Sequence, residues 1–209
     1  MNRRVLLLLL LPALVPPGAH ADEGYRLYEG MAASVNKEVL FLSDVLREQC
    51  FHRCATMPGS GEEALSLREA RDRLISDTLA LQEQKKLALG QVDNAVLADQ
   101  AREAVRRTEG CPSSCREGIS PREVSVWVER KLLIRDFLRR RIGAFIEIDI
   151  DDARKEYQHR LSQGEAAPGL TVEKVRQELL EEKIGREVRN WYDRAASKSS
   201  IALSPLEER

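Results

Sequence analysis

The stretch Ala32-Ala33-Ser34-Val35-Asn36-Lys37-Glu38-Val39-Leu40-Phe41-Leu42-Ser43-Asp44-Val45 decides how this chain is read. β-Preferring residues on either side of the polar Asn36-Lys37-Glu38 predict a small hairpin, with residues 32–35 pairing with residues 39–42. Ser43 stands where a helix N-cap belongs, and Asp44 places a carboxylate in the first turn. A helix is therefore expected to about Ala55.

Beyond that stretch the apolar period is helical. Met57-Pro58-Gly59-Ser60-Gly61 is a loop. From Leu65 to Leu87, Leu67, Leu74 and Leu81, with Ala70, Ile75 and Leu79 beside them, hold helical spacing over about five turns, and Gly90 is expected to end the helix. A weaker helix is expected over residues 92–107, and residues 110–120 read as a break. Ser120-Pro121 opens the next helix as N-cap and first-turn proline. Val124, Trp127, Val128, Leu132, Leu133, Ile134, Phe137, Leu138 and Ile142 make that helix apolar on nearly every side, so it is expected at the centre of the core. Residues 145–148 read as an extended link. Asp149 or Asp151 caps a helix to about Leu161, residues 162–171 form a loop, and Val172, Val175, Leu179, Ile184, Val188, Trp191 and Ala195 mark a long amphipathic helix. Ile201-Ala202-Leu203 then forms a strand. The class is mainly α.

The chain has 209 residues, with 33 basic against 34 acidic side chains, 43% apolar and 5% aromatic. Neutralising nucleic-acid phosphate takes a clustered basic excess, which this balance lacks, so nucleic acid is not an expected partner. Residues 1–21 combine Arg3-Arg4, the apolar run 5–11 and Ala19-His20-Ala21, the pattern of a secretory signal peptide cleaved near Ala21-Asp22. The apolar run is too short to span a bilayer, which takes about 20 residues. Residues 22–209 are read as a single domain, exported and not membrane-spanning.

The order of these segments resembles the SurA-type periplasmic chaperones. In that family a strand–turn–strand of pattern Val-Asn-x-x-Val-x-x-x-Ser-Asp, here Val35 to Asp44, opens the helical chaperone module. The segment from Arg73 to Leu87, with Leu74-Ile75, further leucines and Lys85-Lys86 at its exit, is similar to the family's second helix. Ile148-Asp149-Ile150-Asp151-Asp152 is similar to the junction at which the module gives way to the next domain. That domain is usually a parvulin-type prolyl isomerase; here only residues 162–171 intervene, too few for a catalytic domain. The resemblance implies a SurA-like module without its enzyme. Its N-terminal part would cover about 30–161, and the helix and strand at about 172–203 would pack back to complete the hairpin. It also implies ATP-independent holding of unfolded envelope or outer-membrane proteins. Candidates for the client surface are Trp127, Phe137, Leu138 and Trp191, against the plainer reading that the two tryptophans pack the fourth helix on the last.

All four cysteines lie in two Cys-x-x-x-Cys pairs, Cys50/Cys54 and Cys111/Cys115. Four cysteines allow three pairings. On a helix, positions i and i+4 project side by side and are badly placed to bond to each other. If the neighbouring segment runs antiparallel, Cys50 pairs with Cys115 and Cys54 with Cys111. Export favours oxidised pairs, and closing the 57-residue loop is worth about 4 kcal/mol by the loop-entropy relation. Four thiolates with His52 could instead hold zinc, and Cys111-Pro112-Ser113-Ser114-Cys115 could be a redox pair, although thioredoxin-like sites use Cys-x-x-Cys.

Past residue 21 the histidines are His52 and His159, and neither Gly-x-Ser-x-Gly, His-Glu-x-x-His nor a phosphate loop occurs. No catalytic residue, metal, cofactor or small-molecule substrate is expected. Glu147, Asp149, Asp151 and Asp152 lack the spacing of a calcium loop and read as helix capping. Arg139-Arg140-Arg141 reads as a solvated face, with a client or membrane surface as the alternative. Two other classes stay open: an adaptor that binds one specific partner, and a thiol-redox protein.

Overall fold

The computed structural model describes residues 30–55, 65–116, 118–164 and 168–206. The expected signal peptide and the loop at residues 57–61 lie outside the described residues.

Strands β1 (Met31–Val35) and β2 (Glu38–Phe41) form the hairpin. Its turn is tighter than expected, because Glu38 belongs to β2 and only Asn36 and Lys37 connect the strands. Asn36 takes φ 57°, a left-handed conformation that asparagine tolerates better than most L-residues. Strand β3 (Ile201–Leu203) pairs antiparallel with β1, matching Val35 with Ile201 and Ala33 with Leu203, so the order is β2-β1-β3. The final strand thus completes the hairpin. Asn36 fastens the join: its N–H donates to the Ser200 carbonyl at 2.7 Å, its Oδ1 accepts from the Ser200 N–H at 3.0 Å, and its amide nitrogen reaches Gln82 Oε1 at 2.7 Å.

Helix α1 spans Leu42–Ala55, so Leu42 is helical and Ser43 is not the cap. Asp44 stands in the first turn as expected, its carboxylate accepting the Phe41 N–H at 3.0 Å. Helix α2 (Leu67–Leu87) begins with a reciprocal capping box of Ser66 and Glu69 and ends at Ala88, which adopts φ 50°. Gly90, expected to stop the helix, has a different task. A Cβ there would lie 3.3 Å from the Phe137 backbone nitrogen, so a glycine lets the connection pass close to the next core helix.

Helix α3 (Asn94–Thr108) is capped by Asp93. The break expected after it contains one helical turn, α4 (Ser113–Arg116). Helix α5 (Pro121–Arg141) starts at the second capping box, Ser120 with Glu123, and Pro121 fills its first turn. Gly143–Phe145 forms a 3-10 turn in place of the start of the expected extended link. Helix α6 (Ile150–Ser162), capped by Asp149, and helix α7 (Val172–Ser197), capped by Thr171, pack together with Ala153 and Val175 fully buried. Residues 163–171 alone separate them.

The core has two spines, not one. Helix α2 lies under the sheet, where Leu74, Ile75 and Leu79 meet Val35, Leu40 and Val45. Helix α5 instead serves a cluster with α1 and α3, built on Phe51, Ala104, Val124, Val128 and Leu132. The two spines meet in a third cluster of Ala80, Ile134 and Phe137, with Trp191 and Tyr192 from α7 packed on it.

Candidate functional site

A concavity of about 800 Å³ opens above that third cluster. Three segments supply most of its lining, with Asn36 of the hairpin turn and Ser199 beside them. From α2, Leu79, Gln82, Glu83 and Lys86 fall on one face because they stand three or four residues apart. From α7, Lys183, Glu187, Trp191 and Ala195 form a stripe of strict i, i+4 spacing, continued by Arg194 and Lys198. The third wall is the end of α5 and the 3-10 turn, with Arg141, Ile142, Phe145 and Ile146.

The floor is apolar. Trp191 packs edge-on against Phe137 at 5.7 Å and against Tyr192 at 4.9 Å, which leaves part of its indole facing the cleft. Burial pushes the Tyr192 hydroxyl well above the usual tyrosine range, and the charge of Asp77 adds to the effect. Phe145 is 81% exposed, unusual for a phenylalanine. Lys183 Nζ donates to the Glu147 carbonyl at 3.1 Å, and Arg176 Nε to that of Ile148 at 3.1 Å, so the link after Phe145 is tied to α7. The rim carries Lys86, Arg141, Lys183, Arg194 and Lys198 against Glu83 and Glu187. A cleft with aromatic and aliphatic groups at its base and solvated charges around it suits an extended chain segment better than an enclosed small molecule.

The four candidate client residues are not brought together. Trp191 lines the cleft, and Leu138 is half-buried beside the cluster beneath it. Phe137 is fully buried and presents no surface to a client, which corrects the expectation for that residue. Apolar positions all round α5 gave no way to tell which side would be covered; Ala80 and Trp191 cover this one. Trp127 lies elsewhere. Its ring stacks on Phe51 at 5.3 Å, so it joins α5 to α1 and not to the last helix. Its Nε1–H donates to the buried Glu48 carboxylate at 2.8 Å, and Lys131 Nζ bridges Glu48 and Asp77 at 2.8 and 2.6 Å. Phe145, Ile142 and the rim cations Lys86, Lys183, Arg194 and Lys198 carry no site reading in the sequence, whereas Arg141 does, through the alternative reading of the arginine run. The signal for Phe145 was an apolar Phe-Ile soon after Gly143 with no helical partner positions.

The structure joins Cys50 to Cys115 and Cys54 to Cys111, clamping the C-terminal half of α1 to the α3–α4 turn. No cysteine is free, and in this oxidised state none is available as a thiolate ligand or nucleophile. Among the described residues no group of three or more His, Cys, Asp or Glu side chains is arranged to hold a metal ion. Of the acidic residues near 150, Asp149 accepts the Asp151 N–H at 2.8 Å as a cap. In the arginine run, Arg139 and Arg140 both pair with Asp136 and Arg141 turns to the cleft. The Arg140 guanidinium and the Gln91 N–H hold the Asp136 carboxyl down at about 2. Among the described residues no helix is long and apolar enough to cross a membrane. No family model matches the chain, and no curated protein matches it.

Proposed function

We propose that this protein is an ATP-independent holding chaperone of the cell envelope, a SurA-like module without an isomerase, which shelters unfolded envelope or outer-membrane proteins in the cleft between α2, α7 and the end of α5. The observation that carries the reading is Phe145, an aromatic ring 81% exposed at the mouth of an apolar-floored cleft. Two disulfides fit an oxidising compartment such as the periplasm. The energetics suit holding and release. An apolar anchor contributes about 1.5–3 kcal/mol when buried, whereas association alone costs about 4–15 kcal/mol in lost freedom. For two or three anchors the gain, about 3–9 kcal/mol, is no larger than that cost, so a client held this way is held weakly and its release needs no ATP.

Suppression of aggregation of a denatured outer-membrane β-barrel protein, measured with the mature chain without ATP and with or without reductant, tests this. Near-stoichiometric suppression is the expected result, weakened by Phe145→Ser. Absence of suppression in both redox states would leave the adaptor reading in its place. One observation favours that second reading: Met31, Val39 and Phe41 stand exposed on the sheet, a flatter surface suited to a folded partner.

A further inference from the structure

The charge on the cleft rim narrows the kind of segment it takes. Five cations against two carboxylates leave three net positive charges around one opening, in a chain whose basic and acidic residues otherwise balance at 33 to 34. Two of the five are partly committed: Lys86 lies 3.6 Å from Glu83, and Lys183 donates to the Glu147 carbonyl. Arg141, Arg194 and Lys198 make no ion pair among the described residues.

Helices α2, α5 and α7 all end at this cleft, and a helix C-terminus attracts cations on its own account. Each contributes about half a negative charge, confined to its last turn. Three ends together offset about half of the excess, so the opening stays positive. Of the apolar residues lining the cleft, Leu79 is buried and Ile142, Ile146 and Trp191 are half-buried, whereas Lys86, Arg141, Arg194 and Lys198 are exposed, so the apolar groups form the floor and the cations the outer ring. An extended chain turns alternate side chains to opposite faces. It can therefore set one row on the floor while the other row meets the cations.

We propose that the cleft selects extended acidic segments, in which Asp or Glu alternates with aromatic or aliphatic residues. The proposal rests on the reading of the cleft as a client site and adds the class of client. It is tested by fluorescence anisotropy of two labelled unfolded peptides with the same alternating aromatic and aliphatic residues, one with Glu and the other with Lys at the intervening positions, against the full mature chain. In low salt the Glu peptide is expected to bind about tenfold tighter, with the difference shrinking in high salt as exposed charges are screened. Arg194→Glu with Lys198→Glu, both exposed and therefore tolerable to the fold, is expected to reverse the order of the two peptides. Equal binding of the two, or a preference that survives the charge reversal, overturns the acidic selectivity and leaves the cleft as a client site. Binding of neither peptide overturns the selectivity and the cleft reading together.

Discussion

Trp127 donates its indole N–H to Glu48 across 2.8 Å, from one core helix to a carboxylate that is only 3% exposed on another. Lys131, one turn on in α5, bridges the same carboxylate to Asp77 of α2, so a single cation holds two buried anions and three helices together. Lys131 keeps 30% of its side chain exposed, which moderates the strength of the bridge. Replacing it with Met strands both carboxylates, and a loss of about 2–3 kcal/mol is expected in urea unfolding. Trp127→Phe keeps the stacking on Phe51 and removes one hydrogen bond, with an expected loss of about 1–2 kcal/mol. Glu48→Gln should recover part of the Lys131→Met loss; additive losses would mean the groups do not act as one network.

The disulfides should behave as a nested pair. The bond between Cys54 and Cys111 closes a 57-residue loop inside the 65-residue loop of Cys50 and Cys115. With either one present, removing the other opens only the small ring between them, worth about 2.5 kcal/mol by the loop-entropy relation. Removing both also frees the large loop, and the loss rises to about 6–7 kcal/mol. Unfolding of the two double-alanine variants and the quadruple variant measures this coupling, and a quadruple loss equal to the sum of the two would contradict it.

Asp136 predicts an acid dependence. Its carboxyl is held at about 2, below the ordinary 3.8, by Arg140 and by the Gln91 N–H. A lowered carboxyl contributes stability that is present above its unfolded value and lost as pH falls through the folded one. The stability difference between the wild type and Asp136→Asn should thus be constant above about pH 5 and fade toward pH 2, with a plateau of about 1–2 kcal/mol. A difference that does not change over that interval would remove Asp136 as its source.

Phe145 separates function from folding. Because its ring is mostly in water already, Phe145→Ser should leave the thermal midpoint within about a degree of wild type. The same change should reduce suppression of client aggregation several-fold. Equal suppression by the variant would move the client surface away from this cleft. The buried neighbour behaves in the opposite way: Phe137→Ala is expected to cost about 3–5 kcal/mol in unfolding experiments.

Local chemistry was enough to place most elements. Ser120-Pro121 with Glu123 marked the start of α5, Asn36 the hairpin turn, and the leucine period the length of α2, because caps, turns and amphipathic stripes depend on residues within one or two turns of each other. The exceptions at this level were short-range shifts, such as the start of α1 at Leu42, ahead of Ser43, and Ala88 in place of Gly90 at the end of α2.

The site lay beyond that reach. Its walls come from residues 79–86, 141–146 and 183–198, and no pattern inside any one of them shows that the three meet. Local patterns suffice for the mainly helical class, the hairpin, most of the caps and the pairs of cysteines. Packing settles that Phe137 is buried while Phe145 is exposed, that Trp127 serves α1, and that Arg141, Arg194 and Lys198 ring one opening. Which side of an all-apolar helix is covered, and which distant charges become neighbours, depends on packing between elements, and burial there is set by partners far away in the chain.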